Sequence, residues 1–295
     1  MAPPVDLSVI VAALDPDRTL DASLDALEQS CEGLAAEILA IGAAPARRAV
    51  ESGRHPRIHF HVVGGDPSVP DLWATGIGLA TGRVIALSTS HLIVESSWAR
   101  ALMAALILPS GGAGGPIDLM PDSTTVDRAI FYLRYSPFLA SAWPDGAVAG
   151  EIAGDNAAYW ADDLRRHQAD HPGGFWEVEF HRRLRAAGRP LAGARAAMAR
   201  LGRSHRAGAF IRQRLRHGRH FGHQRVKDRE RGRWAMVLAA PIVPLILAAR
   251  AARRVWPSPP HRLKFLVALP AFLTFAAAWA VGEAAGALIG DGAGR

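Results

Sequence analysis

The sequence predicts an α/β protein with a mostly parallel central sheet flanked by helices, followed by a helical, membrane-associated C-terminal region. Three observations carry this. Short apolar runs alternate with helical patterns through the first 108 residues, the signature of a doubly wound sheet. Two long uncharged stretches lie near the end of the chain. The charge also divides sharply, with 16 Lys/Arg against 23 Asp/Glu through residue 199 but 12 against 2 across 200–233.

The elements follow in order. "LSVIVAAL" reads as a buried strand, and Asp15-Pro16 as a helix N-cap with proline at the first helical position. Leu20, Leu24, Leu27, Cys31 and Leu34 then share one helical face. "EILAIGA" and "RIHFHVVGG" predict a second and a third strand, Val69 to Thr81 a helix closed by Gly82, "RVIAL" a fourth strand, and Glu95 to Leu108 another helix. "PSGGAGGP", 109–116, lacks the lysine and the strand-to-helix context of a phosphate loop and reads as a flexible connection. A second block, 117–199, holds "GEIAGDNAAYW" and a helix opening after Gly174, with Trp176, Phe180 and Leu184 spaced four apart.

Ligands of such sheets bind beyond the carboxyl ends of the strands, which gathers 12–15, 42–44 and 88–91 around one crevice. The tip of the fourth strand, Ser88-Thr89-Ser90-His91, offers hydroxyls and an imidazole but no carboxylate.

The single cysteine, Cys31, excludes an internal disulfide and a cysteine metal cluster. "MAPPVDLSVIVAAL" lacks a basic start, so no secretion signal is expected. Residues 200–233 read as a basic interfacial segment. Trp234 to Ala249 is uncharged but short and carries Pro241 and Pro244, whereas Phe265 to Ile289 is long enough to span a bilayer. Five basic residues between 250 and 264 oppose moving that loop across. The expectation is a re-entrant or interfacial segment over 234–250, then a transmembrane helix over 265–289, with two crossings as the alternative. The basic tract then meets anionic membrane lipid; with few aromatics interleaved, no nucleic-acid partner is expected.

The order of several segments resembles the family-two glycosyltransferases. These segments are "LSVIVAALDPDRTL", "ATGRVIALSTSHLIVESSW", "GDNAAYW", "FWEVEFHRRLRAAG" and "FIRQRLRHGRHFGHQR". The resemblance covers about residues 5–225 and implies a Rossmann-like glycosyltransferase A-type fold with inverting chemistry and a nucleotide-sugar donor. It implies a catalytic domain over 1–199, with a nucleotide-binding half at 1–108 and an acceptor half at 117–199. It also implies a lipid-linked or envelope glycan acceptor at the inner (cytoplasmic) membrane, with the globular domain in the cytoplasm. The donor side falls on Asp15, Gly42, Thr89 and His91, and the acceptor side on Asp155, Asn156 and Trp176. Arg212, Arg214 and Arg216 belong to the segment that closes over the pyrophosphate in the family. The family's base-contacting aspartate falls on Gly42, its metal-binding pair on Thr89 and His91, and its catalytic aspartate on Val178. All have lost the carboxylate. Glu177 and Glu179 flank the vacated catalytic position and are the candidate bases. A manganese or magnesium ion would have His91 as its one metal ligand there, and imidazole is a poor partner for hard cations. The alternative is a non-catalytic, glycosyltransferase-like scaffold.

Overall fold

The computed structural model describes residues 5–13, 19–42, 54–148, 150–171, 173–202, 206–227 and 232–289. The chain forms two compact units, Met1–Met120 with Ala140–Arg203, and Pro121–Leu139 with Ser204–Arg295.

The first unit holds eleven described strands. The apolar runs read from the sequence form β1 (Leu7–Ala13), β2 (Ala36–Gly42), β3 (Ile58–Val62) and β4 (Val84–Thr89). Every residue of β1 and β4 is buried, as strands covered on both faces require. Further along come β5 (Leu92–Val94), β6 (Gly112–Gly114), β7 (Ile117–Leu119), β8 (Gly146–Val148), β9 (Ala157–Trp160), β10 (Leu191–Gly193) and β11 (Ala199–Leu201). The main sheet runs β3-β2-β1-β4-β9-β6-β10-β8, and β5-β11-β7 form a second one. β3, β2, β1 and β4 are mutually parallel, while β9 runs antiparallel to β4 and β6.

Helices α1 (Leu20–Ser30), α2 (Val69–Leu79), α3 (Trp98–Ala105), α5 (Ala161–Asp170) and α6 (Glu177–Ala186) belong to this unit. α1 turns Leu20, Leu24 and Leu27 inward. α2 opens on a capping box, with Asp71 Oδ2 accepting from the Ser68 backbone N–H at 2.8 Å.

The glycine-rich stretch is not a flexible connection. Gly112–Gly114 is the buried strand β6, paired with β9 and β10. A Cβ on Gly112 would stand 2.7 Å from the Tyr159 ring, and one on Gly114 2.6 Å from Ile152. Glycine is used here for close approach. The first helix does not start at Asp15-Pro16 as expected: it begins at Leu20 with Thr19 as its N-cap residue, and Asp15 itself lies outside the described residues.

The second unit holds α4 (Thr125–Tyr135), α7 (Ala207–Lys227), α8 (Arg233–Ala239), α9 (Val243–Val255) and α10 (Pro259–Ile289). By length and composition α10 is long and apolar enough to cross a membrane, and α8 and α9 make a pair bent by 69°.

Candidate functional site

The chain leaves β1 for β2 and β3 on one side and returns to β4 on the other. This reversal makes the carboxyl ends of β1 and β4 the switch point at which open α/β sheets bind ligands. Ser90 closes the end of β4 by donating its backbone N–H to Ala12 O at 3.1 Å, and His91 O accepts from Gly202 N at 2.8 Å. Ser88, Thr89, Ser90 and His91 are all buried. The hydroxyls of Ser88, Thr89 and Ser90 have no hydrogen-bond partner. Buried hydroxyls in native proteins are nearly always paired, so these three are unsatisfied polar groups sealed at the tip of β4.

Gly42 ends β2 opposite Ala13. A Cβ there would collide with the Ala13 backbone carbonyl, so an aspartate cannot occupy this position without parting β1 from β2.

The carboxylates come from the next strand. Leu87 of β4 pairs with Ala157, the first residue of β9, so the turn Gly154-Asp155-Asn156 sits at the carboxyl end of β4. Glu177, the first residue of α6, lays its side chain over Gly154, where an added Cβ would meet it at 2.8 Å. Glu177 therefore lies against the turn that carries Asp155, with Trp176 as the N-cap residue of α6.

Asn156 serves the frame. Its Oδ1 accepts from the Trp98 indole N–H at 2.5 Å, and its Nδ2 donates to Pro116 O at 2.9 Å and Ala197 O at 3.2 Å. Both amide protons are thereby used. Glu179 points elsewhere, forming ion pairs with Arg182 and Arg183 along α6. Val178 stands 60% exposed.

Behind Glu177 runs a chain that the sequence did not single out. The Tyr159 hydroxyl meets His181 Nε2 at 2.8 Å, His181 Nδ1 meets Glu151 Oε2 at 2.5 Å, and Glu151 also pairs with Arg185. Burial drives the Tyr159 hydroxyl well above its ordinary pKa, and the charges of Glu177, Glu151 and Asp155 push the same way. Burial works to raise Glu151, but the hydrogen bonds from His181 and Arg185 prevail and hold it below the usual carboxylate range. The available signal was His181, one turn beyond Glu177; its partner Tyr159 lies across the fold.

The residues at the tip of β4 do not fit a divalent ion. Among the described residues the one group of three acidic or histidine side chains with converging donor atoms is Asp25, Glu28 and His55. Glu28 stands in the last turns of α1 and His55 just ahead of β3, at the amino ends of the strands and away from the crevice. Arg54 already bridges Asp21 and Asp25 there.

The basic candidates belong to the second unit. Arg214 is drawn into that unit's interior, its guanidinium 4.9 Å from the Phe210 ring centre and 5.3 Å from that of Trp279. Burial, reinforced by Arg134, lowers its pKa to about 9. Arg212 and Arg216 stay exposed on α7.

No protein-family model and no curated protein matches the chain. Among solved structures it is similar to the mannosyltransferase PcManGT from Pyrobaculum calidifontis in complex with GDP-Man and Mn2+. The identity is 16% and the TM-score 0.48, over 95% of this chain and 73% of that one. A likeness of that size transfers no residue role, and the chemistry rests on the crevice itself.

Proposed function

We infer that the chain is a membrane-associated glycosyltransferase that moves a sugar from a nucleotide-diphosphate donor to an acceptor hydroxyl. The acceptor we assign is a lipid-linked or envelope glycan at the cytoplasmic membrane face. One observation carries the reading: at the switch point of the sheet, the side chain of Glu177 lies over Gly154, in the turn that also carries Asp155 at the carboxyl end of β4. The motif order resembling the family-two enzymes supports the same reaction.

In this reading the donor diphosphate lies over the carboxyl ends of β1 and β4, where sheets of this kind bind their ligands. Glu177 accepts the proton of the attacking hydroxyl. One bond forms between that oxygen and the anomeric carbon while the bond from that carbon to the diphosphate breaks, and the configuration inverts. The nucleotide leaves with the electron pair. The His181–Glu151 pair keeps Tyr159 neutral and fixed under this constellation. Because the donor atoms at the tip of β4 do not converge on an ion, transfer is expected to survive a chelator.

The test is nucleotide release from a panel of nucleotide-sugars, with manganese and with a chelator. Turnover should be retained in the chelator. Glu177→Gln should lower kcat by about a hundred- to ten-thousandfold, the usual share of a general base, and leave donor KM nearly unchanged. Donor binding without turnover would favour the second reading, a nucleotide-binding scaffold, which draws on the exposed Val178 at the family's catalytic position. Absence of both binding and turnover would overturn the assignment.

A further inference from the structure

The second unit presents a surface that the crevice does not use. Among the described residues seventeen large apolar side chains are exposed, and twelve of them fall within 234–289, Trp234, Leu238, Leu245 and Leu263 among them. That concentration is far beyond scattered surface leucines and marks an interaction face.

α10 has two unlike sides. Leu263, Val267, Pro270, Thr274, Ala277 and Val281 recur at three- and four-residue spacing and are exposed, forming one apolar stripe along the helix. The opposite side is covered from end to end. α4 covers its start, where the Tyr132 hydroxyl donates to His261 O at 3.2 Å and the rings of Tyr132 and Phe265 stand 5.2 Å apart. α7 covers the remainder. The two helices run parallel, with Phe210 beside Phe275, Phe221 beside Trp279, and Arg225 paired to Glu283. Their backbones touch through paired glycines. A Cβ on Gly218 or Gly222 would collide with backbone atoms of Trp279 or Glu283, and one on Gly282 or Gly286 with backbone oxygens of Leu215 or Arg219.

This packing decides how α10 can meet a bilayer. If α10 crossed it, α7 would be carried to the same depth with Arg212, Arg214, Arg216, Arg219 and Arg225, against the single carboxylate of Glu283. Cations at that depth are expensive and rare. Laid flat, α10 turns only its apolar stripe into lipid and leaves α7 and α4 on the water side. None of the α7 cations then has to enter lipid. The surrounding charge suits an anionic surface, since Arg250, Arg253, Arg254, Arg262 and Lys264 flank the apolar side chains of α9 and the start of α10.

We propose that the chain is monotopic: α10 lies in the plane of one leaflet, α8 and α9 dip their apolar side chains beside it, and the five cations grip anionic headgroups. This holds whether or not the crevice transfers sugar.

The test uses the full chain on phosphatidylglycerol-containing vesicles. On a Cys31→Ser background, Leu263→Cys, Val267→Cys, Thr274→Cys, Val281→Cys and Leu288→Cys are spin-labelled one at a time. Label depth is read by collision with oxygen against a water-soluble nickel chelate. All five should report one shallow depth. A graded profile with position 274 deepest means a crossing and overturns the proposal. Labels that stay aqueous, or that are shielded in a vesicle-free oligomer, mean that a second copy or another protein covers the stripe, and overturn it too. A measurement independent of the cysteines is vesicle partition of the unaltered chain. Arg253→Gln and Arg254→Gln should each weaken it about fivefold, from about 1 kcal/mol per basic residue near the surface. Equal partition into phosphatidylcholine vesicles would overturn the headgroup contacts.

Discussion

Asn156 shows how one side chain can hold a site together without touching substrate. It joins α3, through Trp98, to the segments after β6 and before β11, through Pro116 and Ala197. Asn156→Ala leaves a buried indole N–H and the Ala197 carbonyl unpaired, each worth about 1–3 kcal/mol, while Pro116 O keeps its bond from Ala199 N–H. A loss of at least about 2 kcal/mol in urea unfolding is expected, and Asn156→Asp, which keeps the acceptor but not both donors, should recover only part of it.

Two histidines give the fold a pH dependence. Burial, with His171 and Arg183 adding to it, pushes His167 down to about 4. Burial, with Arg214 and Arg134, pushes His217 down to about 3. The unfolded chain protonates each near its ordinary value of about 6.5, while the folded chain does not. The unfolded state therefore binds more protons between those limits. Between about pH 7 and 9 these histidines add no slope, and stability should fall as pH drops through 6.5 towards 4, by up to about 1.4 kcal/mol per pH unit for each group. His167→Phe should remove the share of the first unit, seen as a shallower slope in urea midpoints.

At the level of elements, α7 and α10 illustrate an interface set by what is missing. Gly218, Gly222, Gly282 and Gly286 let two backbones approach where any side chain would strike a carbonyl. Gly222→Ala or Gly286→Ala should cost at least about 1–3 kcal/mol, the usual penalty of overpacking, because backbone cannot yield as a rotamer does. Thermal unfolding checks it, with Gly208→Ala as the control, since the nearest atom there is the end of a flexible arginine at 3.9 Å. The strands show what a sequence reveals. β1, β2 and β4 were legible as largely apolar runs, and β3 as apolar residues alternating with His59 and His61. β6 was not, because a strand of glycine and alanine carries no periodicity, and its smallness is explained only by Tyr159 and Ile152 from distant segments. α4 escaped for a related reason: Phe131 and Tyr132 are buried against partners in α10, more than a hundred residues away. At the candidate site, motif order singled out Asp155 and Glu177, which the fold brings to one turn, and the tip of β4 was legible from its lack of acids. The Tyr159–His181–Glu151 chain was not, because it is assembled only when α6 packs beside β9.

On the scale of the whole molecule, the second unit is made of two separated pieces of chain. α4 is inserted between β7 and β8, while its partner helices follow the last strand. Phe131 and Tyr132 are fully covered, with Tyr132 held by His261 and Phe265. A protein ended after residue 203 would keep α4 and lose its cover. Its aromatic side would open to water, and soluble aggregates rather than a well-behaved catalytic fragment should appear in size-exclusion chromatography. Replacing 121–139 by a short polar linker in the same truncated chain should restore a monodisperse peak. The second unit thus cannot be trimmed away from its end alone: the reach of one helix back into the middle of the chain obliges anyone isolating the first unit to make two cuts instead of one.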